Sequence, residues 1–154
     1  MIPLLESYLN CLQSLHADLQ HAMDGLSQDA LDWSPGADMN SIAVLAAHIA
    51  GSMRYWIGDV AGQDRSARDR DAEFRTKEVD AAALAARLDA ALNHSQTVLE
   101  KLALPDLEAN RIAPRDGKEY TVAWALVHAL EHTATHVGHI QITRQLWDHA
   151  HASR

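Results

Sequence analysis

Apolar residues recur at helical intervals in four long stretches of this chain, and no comparable stretch alternates in the manner of a strand. Leu5, Leu12, Leu19 and Leu26 stand seven apart, with Leu9, His16 and Met23 between them. This spacing predicts an amphipathic helix from about Pro3 to Leu26, the proline falling in the first turn, where no amide donor is needed. Asn40 or Ser41 can cap a second helix running to about Gly62, with Ile42, Leu45, Ile49, Met53, Trp56 and Val60 as its inward stripe. Asp80 caps a third, from Ala81 to about Leu104, with Leu84, Leu88, Ala91, Leu92, Val98, Leu99 and Leu102 inward and Pro105 just past its end. Thr121 caps a fourth that reaches about His149.

The intervening stretches are polar or rich in turn formers. Asp32-Trp33-Ser34-Pro35-Gly36 is turn chemistry around an aromatic expected to fold back on the helices. Ile112–Tyr120, with Asp116-Gly117 inside it, predicts a short extended excursion about a turn. Gln63–Val79 carries charges of both signs, among them Arg68, Asp69, Arg70 and Glu73, with little periodicity. It reads as a solvated connection or a lid over a cleft, and it is long enough to cross a bundle. The expectation is an all-α fold: a single domain over residues 1–154, built as a four-helix bundle with a long crossing connection between the second and third helices.

Composition narrows the function. A net charge of −8 argues against nucleic acid and anionic membrane surfaces as partners. No apolar run approaches the 18 or more residues of a membrane span, and no charged-then-apolar leader opens the sequence. The one cysteine, Cys11, can form no internal disulfide, which suits a reducing cytoplasm. It falls within helical periodicity and reads as a packing residue.

The histidines change the picture most. His128, His132 and His136 stand at steps of four, with His139 three further on. At about 100° per residue, taking His128 as the origin, His139 lies near about 20°, His132 about 40° and His136 about 80°. Residues four apart on a helix are close enough for two ring nitrogens to reach one metal. The segment's apolar stripe (Val122, Ala129, Ile140, Trp147) centres at about 100° on the same helical count. His136 is thus expected in the core and His132 at its edge, which favours this pair as chelators. His48, on the second helix, lies about 100° from the centre of its stripe, at the rim where a cleft would open to solvent. His16 and His21 read as surface or boundary residues, and His149 and His151 as parts of a fraying terminus.

Bundle cores commonly build metal sites from facing helices. His132 and His136 with His48 as a third ligand would give a three-histidine site with open positions, suited to lowering the pKa of a bound water or substrate thiol. The alternative is a set of hydrogen-bonded polar core residues that bind no metal. No cysteine lies near, no Glu-x-x-His recurs on two helices, and His-x-x-x-His lacks the glutamate of a His-Glu-x-x-His protease. Imidazole ligands select Zn²⁺ or Ni²⁺ first, with Fe²⁺, Mn²⁺ or Co²⁺ open. Affinity is expected to fall below about pH 6.5, where histidines protonate. No general base stands out: Glu131 points about 60° away from His132, and Tyr55 and Arg54 could reach a cleft mouth.

Trp33-Ser34-Pro35, Ser41-Ile42 leading to Leu45-x-x-His48-Ile49, Trp56, His128-x-x-Glu131-His132-x-x-x-His136-x-Gly138 and Arg144 resemble, in order and over nearly the whole chain, the DinB-like proteins. The resemblance implies a four-helix bundle holding a divalent metal through His48, His132 and His136, and often a homodimer. Some relatives are metal-dependent transferases or isomerases acting with a low-molecular-weight thiol, so a thiol transferase or a hydrolase is implied, against a metal-binding or stress-response module without turnover. His139 stands where many members carry glutamine. It is a neighbour that orients a ligand or relays a proton, an extra ligand, or packing, and His128 is a neighbour or packing.

Overall fold

The computed structural model describes residues 1–152. Four long helices form the body: α1 (Pro3–Met23), α3 (Ile42–Met53), α5 (Ala81–Leu99) and α6 (Val122–His151). Two single-turn helices lie in the connections, α2 (Gln28–Asp32) and α4 (Arg70–Phe74). α3 continues into a wide π-helical stretch, Arg54–Ala61. After α5 come a 3-10 turn (Leu104–Glu108) and a small antiparallel hairpin, β1 (Asn110–Ile112) with β2 (Glu119–Thr121), in which Arg111 faces Tyr120.

The helix starts follow the expected side-chain chemistry. The oxygens of Ser41, Asp80 and Thr121 accept from the amides three residues on, satisfying donors that a helix leaves unpaired. Gly117, at φ 70°, closes the hairpin in the left-handed region that glycine enters without a Cβ penalty. α1 stops at Met23 and α5 at Leu99, each a few residues early, because Gly25 turns left-handed in one case and a 3-10 turn takes over before Pro105 in the other.

α3 is the central element, with every residue but Gly51 buried. It packs on α5 and α6, and α1 completes the square against both. The directions follow from the contacts. Tyr8 reaches Leu126 and Arg144 reaches Ala22, so α1 and α6 run parallel. His48 meets His132 while Trp56 meets Trp124, so α3 and α6 are antiparallel. Gly62 lies against Val98, while Glu78 and Val79 bond to Asp32 and Gln28 near the start of α3. α5 therefore runs parallel to α3, and the bundle is up-down-down-up. The Gln63–Val79 connection travels back along the whole bundle, as expected for the crossing link. α3 and its extension span about 30 Å at about 1.5 Å per residue, and a connection of this length covers that distance at up to about 3.3 Å per residue.

Trp33 folds back, its ring centroid 5.7 Å from that of Trp147 in an edge contact. Arg144 donates to the carbonyls of Ala22 and Asp24 and so closes the end of α1. Cys11 is exposed rather than packed, one position off the buried Leu12. His151, expected to fray, stacks on Trp147 at 3.6 Å. No described helix is long and apolar enough to cross a membrane.

Candidate metal centre

Antiparallel packing of α3 on α6 brings together the three histidines expected from the sequence. Nε2 of His48 lies 3.1 Å from Nε2 of His132. The ring of His136 is centred 5.3 Å from that of His48 and 4.5 Å from that of His132. One ligand nitrogen from each of the three lies within 4.8 Å of the other two.

His48 does not sit at an open rim. It is only 5% exposed, because the crossing connection lies over it. Glu73 of α4 presents its carboxylate to His48 Nδ1 at 2.8 Å, and the Phe74 ring packs 4.7 Å from the imidazole. Arg68 grips the same carboxylate with two parallel bonds, Nε at 2.6 Å and a terminal nitrogen at 2.8 Å. Glu73 and Arg68 are about a tenth exposed at the side chain, so this pair is buried. The segment, read from sequence as a solvated connection or a lid over a cleft, is thus an inner wall of the site. Glu73 lies against Gly51, where a Cβ would run into its carboxylate. Sequence reasoning missed both residues, since neither belongs to a periodic stripe. The signal available was Gly51, which interrupts an otherwise apolar helix.

Similar second contacts set the other rings. His136 Nδ1 pairs with His139 Nδ1 at 3.2 Å, which leaves Nε2 of His136 free. His139 is thereby a neighbour of a candidate ligand and lies outside the converging group. His136 is half-buried rather than in the core, since the buried face of α6 follows Ala129, Thr133, Val137 and Ile140. His128 joins an aromatic ladder instead: it stacks on Trp124 at 4.8 Å, Trp124 stacks on Tyr120 at 4.4 Å, and Trp56 meets all three edge-on. Glu131 is exposed beside His128. Arg54 turns away to Asp59, and Tyr55 is buried with its hydroxyl accepting from the Arg115 amide.

Electrostatics prepare these rings as neutral donors. Burial, then the neighbouring His136 and His48, holds His132 down to about 3. Burial, then His48 and His139, brings His136 down to about 4. For these two, proton competition with a metal starts well below the pH 6.5 expected from free histidine. Burial alone would raise the Glu73 carboxyl, but the hydrogen bonds from Arg68 and His48 outweigh it and hold the group below its ordinary value. An ionised Glu73 only accepts, so His48 must donate from Nδ1 and, when neutral, turns its Nε2 lone pair toward His132.

The residues fit a cation. Nitrogens about 2.0–2.1 Å from a metal stand about 3.3 Å apart in a tetrahedron and about 2.9 Å in an octahedron, and the 3.1 Å between His48 and His132 falls between the two. His132 Nδ1 is buried with no hydrogen-bond partner. A proton there would leave two lone pairs facing each other across 3.1 Å, an arrangement that a positive ion relieves. Three neutral ligands would leave coordination positions open to water or substrate.

Imidazoles from the second and last long helices of a four-helix bundle converge here, as the resemblance to the DinB-like proteins implies. The family model for mycothiol-S-transferase matches residues 7–149, and the chain belongs to that family. YfiT from Bacillus subtilis, described as a probable metal-dependent hydrolase with an unusual four-helix bundle topology, has a similar structure: TM-score 0.76 at 17% identity, covering 94% of this chain and 89% of that one. A DinB-like protein from the same organism gives 0.69 at 18%, with 90% of each chain covered. Another, from Bacillus cereus, gives 0.72 at 14%, with 91% and 90% covered. No curated protein matches the chain.

Proposed function

We propose that the chain binds one divalent cation through His48, His132 and His136 and works as a metal-dependent S-transferase for a low-molecular-weight thiol. The observation that carries this is the convergence of the His48 and His132 nitrogens at 3.1 Å while Glu73 holds the far side of His48. Membership of the mycothiol-S-transferase family supports the thiol. A divalent ion held only by neutral imidazoles keeps its full charge and lowers the pKa of a water or thiol brought to it. The chain's part is positional. Arg68 and Glu73 fix the His48 ring, His139 orients His136, and Phe74 with Trp56, Trp124 and His128 forms an aromatic surround. The reaction forms a bond from the thiol sulfur to an electrophilic carbon, with the thiol proton and the leaving group released to solvent. Zn²⁺ or Ni²⁺ suits the ligands best, and the reading includes a homodimer in a reducing cytoplasm.

Elemental analysis of untagged protein is expected to give about one ion per chain, in line with a single three-ligand site, and His132→Ala should lose it. The loaded protein, offered mycothiol, bacillithiol or glutathione with an electrophile, should transfer one of them. Metal without transfer would point to the binding module, and hydrolysis without a thiol would point to the activity described for YfiT. Retention of metal by His132→Ala would overturn the ligand assignment.

A further inference from the structure

A cavity lies at the far end of the π-helical stretch that continues α3, roughly 15–20 Å along the helix from His48 at about 1.5 Å per residue. It encloses about 450 Å³ where the π-helical stretch ends against the last turns of α5 and the start of the hairpin, a size typical of small-molecule sites. Val98, Leu102 and Ala61 give it an apolar side, and His94, Lys101 and Arg111 line the rest with Asp64 and Asp106.

Its two aspartates are engaged away from its two cations. Asp64 is taken up by Arg54 at 3.5 Å and His94 at 3.4 Å, and Asp106 accepts the Ala103 amide at 2.8 Å. Lys101 and Arg111 make no ion pair among the described residues, in a chain with 21 acidic side chains. One donor on its walls, Arg111 Nε, is buried without a hydrogen-bond partner, and His94 Nε2 has only the Asp64 carboxylate near it, at 3.4 Å and without hydrogen-bond geometry. Buried donors ordinarily find acceptors, and a half-buried guanidinium presents a planar fork that matches an oxyanion. Arg111 Nε lacks an acceptor, although Asp64 and Asp106 stand on the same walls.

We infer that this cavity is an anion site, separate from the metal centre, taking a phosphate or carboxylate group of a small molecule between Arg111, Lys101 and His94. It stands independently of the proposed thiol transfer.

Calorimetric titration of the metal-loaded protein with inorganic phosphate and, separately, with succinate tests it and distinguishes the two groups. One site per chain that is still present in metal-free His132→Ala is expected for at least one of the anions. Arg111→Gln and Lys101→Gln should each weaken it about tenfold or more, as the loss of a charged hydrogen bond does. Asp106→Asn should strengthen it by removing a like charge, and His132→Ala should leave it unchanged. Absence of binding by both anions, equal binding by the Arg111 and Lys101 variants and wild type, or binding lost only in His132→Ala would each overturn the site. Lys101 is exposed, so Lys101→Gln keeps the test decisive if Arg111→Gln fails to fold.

Discussion

The Nδ1 of His48 and the carboxylate of Glu73 meet at 2.8 Å, although 25 residues of chain separate them. That contact makes one element out of a buried helix and a charged connection. It decides which nitrogen of His48 faces the other two histidines, and it is itself held by Arg68.

The first prediction follows from that contact. Glu73→Gln keeps the shape of the side chain but replaces an anionic acceptor with a neutral amide. Metal affinity, measured by competition with a chromogenic chelator, should fall about 10–100-fold, the usual cost of losing such a partner, while helix content by circular dichroism stays unchanged. Arg68→Ala should instead lower stability by about 3 kcal/mol in urea unfolding, because it leaves a buried carboxylate with His48 as its one remaining donor.

Gly51→Ala tests the same contact from behind. Alanine is the better helix former by about 1 kcal/mol, so an unobstructed site would gain stability. Here the new Cβ runs into the Glu73 carboxylate, and Arg68 and His48 both depend on its position. The expected outcome is weaker metal binding with all three histidines intact, read with the same chelator competition.

Acid should destabilise the metal-free protein in a defined window. His132 and His136 are held at about 3 and about 4 in the folded chain but titrate near about 6.5 when unfolded. Between those values the unfolded state binds more protons, so stability rises with pH there and is lost as pH falls from about 6.5 toward 4. Urea midpoints across that range should show this slope, and His132→Gln should flatten it. A slope of the same size in the variant would place the acid sensitivity elsewhere.

His128→Ala separates packing from ligation. The ring lies 4.8 Å from both Trp56 and Trp124, and aromatic pairs contribute about 0.5–1.5 kcal/mol each. A loss of about 1–3 kcal/mol by thermal or urea unfolding is expected, with the metal retained at full stoichiometry. His139→Gln, at an exposed position where glutamine can still face His136, should change metal affinity far less than His48→Ala.

The sequence by itself determined the four long helices, the caps at Asp80 and Thr121, a cap at Asn40 or Ser41, and the placing of His132 and His136 four apart on one helix face. All of these are local: a helical period, a capping oxygen and a spacing of four each act within a few turns, so the order of residues suffices. It also marked His48 as the partner on the second helix, and the charged connection as long enough to cross. Tertiary structure alone decided that the connection lies on α3, burying His48 where a rim was expected and turning Glu73 and Arg68 inward from a stretch that reads as solvated. It also decided that His128 joins a stack of tryptophans while His139 supports a candidate ligand. The reason is physical: whether a charge is solvated or buried depends on the partner it meets, and Arg68, Glu73 and His48 become partners only once α3 and α5 lie parallel and the chain between them must run back along the bundle.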